Sequence, residues 1–464
     1  MNSGSFTRHP GSASLLLRTL FFFITIAAAW AQDAARMAEV VKIYAKDDRF
    51  MGSALVAKDG AILFEQSAGW ANAEWKIANT ATTKFRLGSI TKQFTAAAIL
   101  LLAEDGKLGL DDALSKFVPS APETWRPVTI RQLLSHTGGI PSITDQPEFR
   151  TWKLSPHTPE QSMARIADKP LEFTPGEKFK YSNTGYQLLG WIVELASGQK
   201  YDAFLKQRIF TPLGMNDSGY DLSSTVIPQR ASGYMSSPQG LVNAPYVDMH
   251  VPAGAGALYS TTRDLALWTQ GLFGGKLLKP ASLELMTKPV QGNYALGVSV
   301  NTVKGRKVIL HGGGIEGFNT QLSYYPEAKL TVVVLANING QNQGKIATEL
   351  AAVAFGDTVI LPTERKEIEV PAAVLQRYVG VYQLSPEIIN TIRLTDGRLT
   401  TQLTRQQPLP LFAESETKFF LKIVDAQVEF FTDEQGRVTH LVQYQGGREI
   451  KGTRVEDSAP AARP

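Results

Sequence analysis

Residues Phe85 to Glu104 read Phe-Arg-Leu-Gly-Ser-Ile-Thr-Lys-Gln-Phe-Thr-Ala-Ala-Ala-Ile-Leu-Leu-Leu-Ala-Glu. A helix that begins at or just after Ser89 carries Lys92 one turn on and on the same face, with β-carbons about 5–6 Å apart. An amine then stands beside a hydroxyl. A serine hydroxyl is a weak nucleophile near neutral pH and needs a neighbour to take its proton; a desolvated lysine can do so or can tune another base. The helix N-terminus adds unpaired backbone N–H groups and positive potential where an oxyanion would form. From Phe94 to Ala103 the run shows no polar face, which predicts a helix buried at the centre of a large domain and too short to span a bilayer. Gly106 supplies the stop signal.

The Ser-x-x-Lys spacing also occurs at Ser197/Lys200 and Ser415/Lys418, and context separates the three. Ser197 is followed at once by Gly198, a helix terminator, and Ser415 lies in a polar turn of a strand-rich tail. Only Ser89 opens an apolar helix.

The chain has 464 residues, of which 43% are hydrophobic and 19% charged, ordinary values for a globular protein with room for two domains. Its first 31 residues read as a cleavable signal peptide: Arg8 and Arg18 form a basic n-region, Leu20 to Ala28 an apolar core, and Ala29-Trp30-Ala31 a small-x-small cleavage site. Export to the periplasm or the medium is expected, with no stable membrane insertion after cleavage. Removing this segment lowers the net charge from +4 to +2, and with no dense basic run nothing points to nucleic acid. There are no cysteines, which excludes a thiol nucleophile, disulfides and a zinc–thiolate site. The six histidines are scattered, with no His-Glu-x-x-His pattern, so neither a metal nor another cofactor is expected. The sequence assigns no oligomeric state.

A short amphipathic helix is predicted from about Ala34. Ser53–Ala57 and Ala61–Gln66 follow as strands around the Asp59-Gly60 turn. Val128–Ile140 reads as a short helix ending in a glycine turn, with His136 a loop histidine of structural rather than chemical character. Phe173–Trp191 holds Tyr181-Ser182-Asn183 on a strand-to-helix connection, where functional groups are often displayed. A tyrosine beside a cationic lysine has its phenolate favoured and could act as a general base; taken alone, a buried packing tyrosine is the plainer reading there. Strands predicted at Tyr294–Asn301, Lys307–His311, Thr320–Tyr325 and Leu330–Ala336 form an antiparallel meander. In it His311-Gly312-Gly313-Gly314 closes a strand, either as a glycine-rich hairpin turn or as a place where a substrate backbone comes close. From about Pro362, short strands punctuated by Asp396-Gly397 and Gln435-Gly436 suggest a small sandwich or barrel.

Ser89/Lys92, Tyr181/Asn183 and His311/Gly313, in that order, resemble the three signature motifs of the serine β-lactamase and penicillin-binding-protein superfamily. The likeness is to its class C β-lactamase-like branch of D-aminopeptidases, D,D-carboxypeptidases, LACTB-like peptidases and family VIII esterases. Leu133–Gly138, Thr174-Pro175-Gly176, Pro212–Met215 and Ser260–Leu265 resemble the same branch, and the tail resembles a lipocalin-like barrel. The resemblance implies an α+β fold, an antiparallel sheet flanked by helices and joined to an all-helical region, over residues 32–361. An all-β unit at 362–455 and a disordered tail at 456–464 would follow. It further implies Ser89 as the acylated nucleophile, Lys92 and Tyr181 as a shared proton relay, and Asn183, His311, Gly312, Gly313 and Gly314 as substrate-binding. The N–H groups of Ser89 and Gly314 would form the oxyanion hole.

The pattern departs from the β-lactamases in having no Ser-Asp-Asn and no Lys-Thr-Gly, so a glutamate-activated water is not expected. Histidine in place of the third-motif lysine removes a fixed positive charge that would bind a carboxylate. Gly-x-Ser-x-Gly is absent, which argues against an α/β-hydrolase. The expected function is an exported serine hydrolase of peptide or amide bonds, D-residue substrates included. A carboxylesterase and a weak β-lactamase are the rivals within the enzyme class. Outside it stand a penicillin-recognising sensor that is acylated without turnover, and a purely structural envelope protein.

Overall fold

The computed structural model describes Met1 and residues 33–46, 49–340, 342–423, 426–445 and 448–455. Apart from Met1, the signal segment expected over 1–31 and the disordered tail expected over 456–464 lie outside the described residues. The chain divides into two units, Met1–Asn339 with Glu349–Thr358, and Gly340–Thr348 with Val359–Pro464.

In the first unit, helix α1 (33–45) precedes strands β1 (Gly52–Lys58) and β2 (Ala61–Ala68). Helices α2 (Thr91–Glu104), α3 (Asn183–Ser197) and α4 (Thr262–Phe273) follow, with shorter helical turns among them. A meander then runs through β3 (Ser299–Val303), β4 (Arg306–Ile315), β5 (Phe318–Tyr325) and β6 (Leu330–Ala336). The six-stranded sheet has the order β3-β4-β5-β6-β1-β2 and is antiparallel throughout. The N-terminal hairpin thus completes the sheet on the far side of β6, in a register that sets Gly52 opposite Ala336 and Lys58 opposite Leu330. Every residue of β6 is buried. Its apolar run, interrupted only by Thr331, fits a strand covered on both faces, and α4 packs across β1 and β6.

Helix α2 is the expected all-round buried element, with twelve of its fourteen residues inaccessible. Its Phe94 ring lies 4.1 Å from Trp268 and 5.8 Å from Phe210. The polar side chains that burial carries inward are answered by partners, as buried polar groups must be. Trp268 Nε1 donates to Gln93 Oε1 at 2.9 Å, Thr95 Oγ1 donates to Gly254 O at 2.6 Å, and Leu258 N donates to Thr91 Oγ1 at 3.2 Å.

The meander departs from the sequence reading in two places. Tyr294–Val298 is a turn rather than a strand: Gly297 adopts φ +77°, and a Cβ there would lie 2.7 Å from the Lys92 carbonyl oxygen. Strand β4 runs straight through the three glycines instead of ending at His311, because ladder pairing with β5 continues as far as Ile315 opposite Phe318.

The second unit is a nine-stranded, nearly closed antiparallel sheet, consistent with the barrel expected of the tail. Its two edge strands, Leu409–Pro410 and Phe412–Ala413, follow one another directly in sequence. Ala426, Val428 and Phe430 alternate inward along one strand, and Tyr378 stacks on Phe430 at 4.3 Å. At Asp396-Gly397 both residues take positive φ (51° and 76°), the geometry a two-residue hairpin turn requires.

Truncating Phe94 to Ala empties the space between Trp268 and Phe210. Destabilisation of the first unit by about 3–5 kcal/mol is expected, read as a lower urea midpoint; an unchanged midpoint would show that α2 does not anchor this core.

Candidate active site

Ser89 sits in a single 3₁₀ turn, Gly88–Ile90, at the head of α2. The turn is pressed against β4 and β5. Thr320 Oγ1 donates to the Leu87 carbonyl at 2.7 Å, and Gly88 takes φ +55° so close to the sheet that a Cβ would lie 2.9 Å from Gly314 N. At Gly313 a Cβ would fall 2.0 Å from Leu87 O and 2.2 Å from Thr320 Oγ1, so only glycine fits. Gly312 would meet the flexible tip of Gln321 at 3.2 Å, and Gly314 has ordinary clearance at 3.4 Å. The sequence suggests that these glycines make room for a substrate backbone; in the structure Gly313 makes room for the chain's own Leu87 carbonyl.

Lys92 is fully buried. Its Nζ lies 3.0 Å from Ser89 Oγ, 2.8 Å from Asn183 Oδ1 and 2.8 Å from the Ala255 carbonyl. Burial pushes its pKa well below the usual lysine value, so the amine is held towards its neutral form. A neutral amine has two protons and one lone pair. The Asn183 and Ala255 oxygens can only accept, so each receives a hydrogen bond from one N–H, and the lone pair is left facing the Ser89 hydroxyl.

Tyr181 lies just before α3, with Lys92 Nζ 4.8 Å from its ring centroid. Burial raises its phenol above the ordinary tyrosine value, and an interaction with the Ser89 side chain opposes that rise only in part. The phenolate expected from a neighbouring lysine charge is therefore not what the site favours: desolvation acts on both partners and leaves a neutral amine beside a neutral phenol. Asn183 opens α3. Its backbone N–H donates to Ser142 Oγ at 3.1 Å and its Nδ2 to Thr144 Oγ1 at 3.0 Å, so its amide bridges Lys92 and the Ser142–Thr144 loop.

His311 comes to the same site, buried, with its pKa pushed down to about 4 chiefly by desolvation. Both ring nitrogens are engaged by the protein: Nδ1 lies 2.6 Å from Gly312 O and Nε2 lies 3.1 Å from Tyr294 Oη. Tyr294 in turn lies 3.2 Å from His136 Nε2, and Ser182 N donates to His136 Nδ1 at 3.1 Å. His136, a loop histidine by its sequence, thus forms the back wall of the site, its ring 4.2 Å from that of Tyr181. The sequence reading gives no site role to Tyr294, there only the start of a strand, or to Ala255, and no pattern around either marks them.

Above Ser89 opens a cleft of about 430 Å³ with Asn183, Gly314, Phe149 and Val247 in its walls. Lys153 and Glu316 are the charged residues lining it, and they neutralise one another across a 2.5 Å ion pair. Among the described residues no cluster of histidine and acidic side chains is arranged to hold a metal.

Residues 37–355, which contain this entire constellation, match the family described as Beta-lactamase. The chain belongs to that family. Penicillin-binding protein 4* of Bacillus subtilis (strain 168) is 32% identical over 435 residues, spanning 88% of this chain and 96% of that protein. Among solved structures, an octameric penicillin-binding-protein homologue from Pyrococcus abyssi is 27% identical with a TM-score of 0.62, covering 92% of this chain and all of that one. A D-stereospecific amidohydrolase from Streptomyces sp. is 26% identical with a TM-score of 0.61, over 70% of this chain and 99% of its own. Residues 364–454 match a domain of unknown function (DUF3471). The protein is a serine hydrolase of the β-lactamase and penicillin-binding-protein family, as the three motifs led one to expect.

The glycine contacts separate the three third-motif glycines in this β-lactamase-family site. Gly313→Ala is expected to displace the Ser89 turn and lower kcat/KM on an activated ester by about 100-fold. Gly314→Ala should change it only a few-fold; equal effects would show that the close approach at 313 is not what seats Ser89.

Proposed function

We propose that the protein is an exported serine hydrolase that forms an acyl-enzyme on Ser89 and releases it to water, acting on peptide or amide bonds with D-residue substrates among them. The observation that carries this reading is the Lys92 amine, its two N–H groups committed to carbonyl acceptors and its nitrogen 3.0 Å from Ser89 Oγ. Ser89 Oγ attacks the substrate carbonyl carbon as its proton passes to Lys92 Nζ. The N–H groups of Ser89 and Gly314 receive the oxyanion, each such donor contributing about 2.7–4 kcal/mol in comparable sites. Collapse of the tetrahedral adduct breaks the scissile C–N bond, and a proton delivered from Lys92 by way of the Tyr181 phenol lets the amine leave. Water repeats the sequence on the acyl-enzyme and regenerates Ser89. Likeness to the D-stereospecific amidohydrolase supports the amide reading, and export rests on the N-terminal pattern of residues 1–31.

A carboxylesterase reading is favoured by one specific feature. The cleft carries no net charge, since Lys153 and Glu316 cancel and His311 stays neutral. It therefore has no fixed cation for a substrate carboxylate, which suits uncharged acyl donors and disfavours β-lactams.

Intact mass of wild type and Ser89→Ala, followed in time with an activated ester and an amino-acid amide, tests the acyl-enzyme. An adduct on the wild type alone, decaying with turnover, is expected. A permanent adduct would indicate a sensor, and equal labelling of both proteins would remove Ser89 from the mechanism. Lys92→Arg, which cannot lose its charge, should reduce kcat about 10²–10⁴-fold.

The pH dependence has a definite sign. The base must be neutral and burial lowers its pKa. Activity is thus expected to rise with pH and level off well below the ordinary lysine value of 10.5. A kcat/KM profile that still climbs at that pH would contradict a depressed Lys92.

A further inference from the structure

Behind Ser89 lies a line of buried polar groups whose protons can be placed one by one. Ser182 N–H can only donate, so His136 Nδ1 is bare; the 3.1 Å contact fixes it as the acceptor. Burial disfavours charge on this ring, which leaves the imidazole neutral with its proton on Nε2. At the other end the Gly312 carbonyl can only accept, so His311 Nδ1 carries the proton and Nε2 is bare. Tyr294 Oη, between the two, therefore accepts from His136 Nε2–H at 3.2 Å and donates to His311 Nε2 at 3.1 Å. The chain runs in one direction, Ser182 N–H to His136 to Tyr294 to His311 to Gly312 O. It ties the backbone beside Tyr181 to the strand that carries Gly313 and Gly314.

We propose that His136 and Tyr294 are positioning residues for the reaction at Ser89, locking His311 in one neutral tautomer and holding the Tyr181 ring against Lys92. This rests on the reading of Ser89 as nucleophile. The lock works because the bonds are interdependent. A proton on His311 Nε2 would force Tyr294 to turn its hydroxyl away from His311, towards His136 or towards Tyr186, whose own proton is donated to Leu134 O. Turned towards His136, it would make that ring give up its Nε2 proton and protonate Nδ1, at the expense of the Ser182 bond; turned towards Tyr186, it would break the link to His311. Either way acid loosens the chain that ties down the backbone next to Tyr181. The ionisable groups facing the chain are Lys92 from α2, 4.8 Å from the Tyr181 ring, with Tyr181 and Tyr186, whose rings lie 4.2 and 5.1 Å from that of His136. None of them supplies a carboxylate that would stabilise an imidazolium.

The site of His136 allows a clean variant. Its backbone has φ +57°, a left-handed conformation that asparagine tolerates far better than most residues. His136→Asn keeps the turn and an acceptor while deleting the link to Tyr294, and Tyr294→Phe deletes the central hydroxyl alone.

Two measurements test the proposal. In the full-length protein, histidine ¹⁵N shifts at pH 7 should show His136 protonated on Nε2 and His311 on Nδ1. Both rings in the same tautomer would overturn the directed chain, whether or not either variant folds. In the pH profile of ester hydrolysis, Tyr294→Phe and His136→Asn should lower kcat about 10- to 100-fold with KM little changed. Followed by its nitrogen shifts as pH is lowered, His311 should also take up its proton at higher pH in Tyr294→Phe, because the donor that favoured neutral His311 is gone. Profiles superimposable on the wild type would mean that the chain positions nothing. Failure of the Ser89 assignment has a different signature: Ser89→Ala would turn over normally, while the nitrogen shifts would still report the tautomers.

Discussion

The buried amine of Lys92 is the point at which the first unit's separate pieces of chain are joined. Its three partners come from the turn before α2, the first residue of α3 and the Ala253–Ala255 turn, so one nitrogen fixes elements more than 160 residues apart in sequence. An isolated ammonium in such a place would cost several kcal/mol to desolvate. The neutral amine avoids most of that cost and, with both protons committed, leaves its lone pair nowhere to point but at the serine. Geometry and ionisation have the same origin. The apolar bulk of α2 excludes water, exclusion depresses the pKa, and a depressed pKa turns a structural amine into a base.

The surroundings follow the same rule. Tyr181, His136, Tyr294 and His311 are all pressed towards uncharged states by burial. The two charges that line the cleft extinguish one another. The proposed reaction would start from an almost neutral environment and create charge only as Ser89 attacks. In that proposal the N–H groups of Ser89 and Gly314 are the means of meeting the charge, since backbone donors held by the fold need no rearrangement to do so.

Much of this was legible before any coordinates. Helix α2 followed from a run with no polar face, β1, β2, β5 and β6 from apolar runs bounded by turn residues, and the order of the three motifs pointed to the family. What escaped the reading depends on contacts the chain makes with itself at long range. His136 looks like a loop residue because its partners, Ser182 and Tyr294, lie 46 and 158 positions away. The strand through Gly312–Gly314 was obscured because glycine signals a turn, while pairing with β5 and the approach of Leu87 decide otherwise. A tyrosine near a lysine suggests a phenolate when charge alone is counted. Only the structure shows that desolvation outweighs that charge.

The same burial ties folding to proton release. In the unfolded chain Lys92 and the two histidines take up protons at their ordinary pKa values; folded, all three are depressed. Below those ordinary values the unfolded state binds more protons, so folding expels them and stability rises with pH. For His311 that contribution is fully present above about 6.5 and is lost as pH falls towards about 4. The buried phenols of Tyr181, Tyr186 and Tyr294 act oppositely. Their pKa values are raised, so the stability they confer is present below 10 and is lost as pH climbs above it. The two trends cross near pH 10: up to there the Lys92 contribution is still growing and the phenols have lost nothing, so that is where this set of groups holds the fold most firmly.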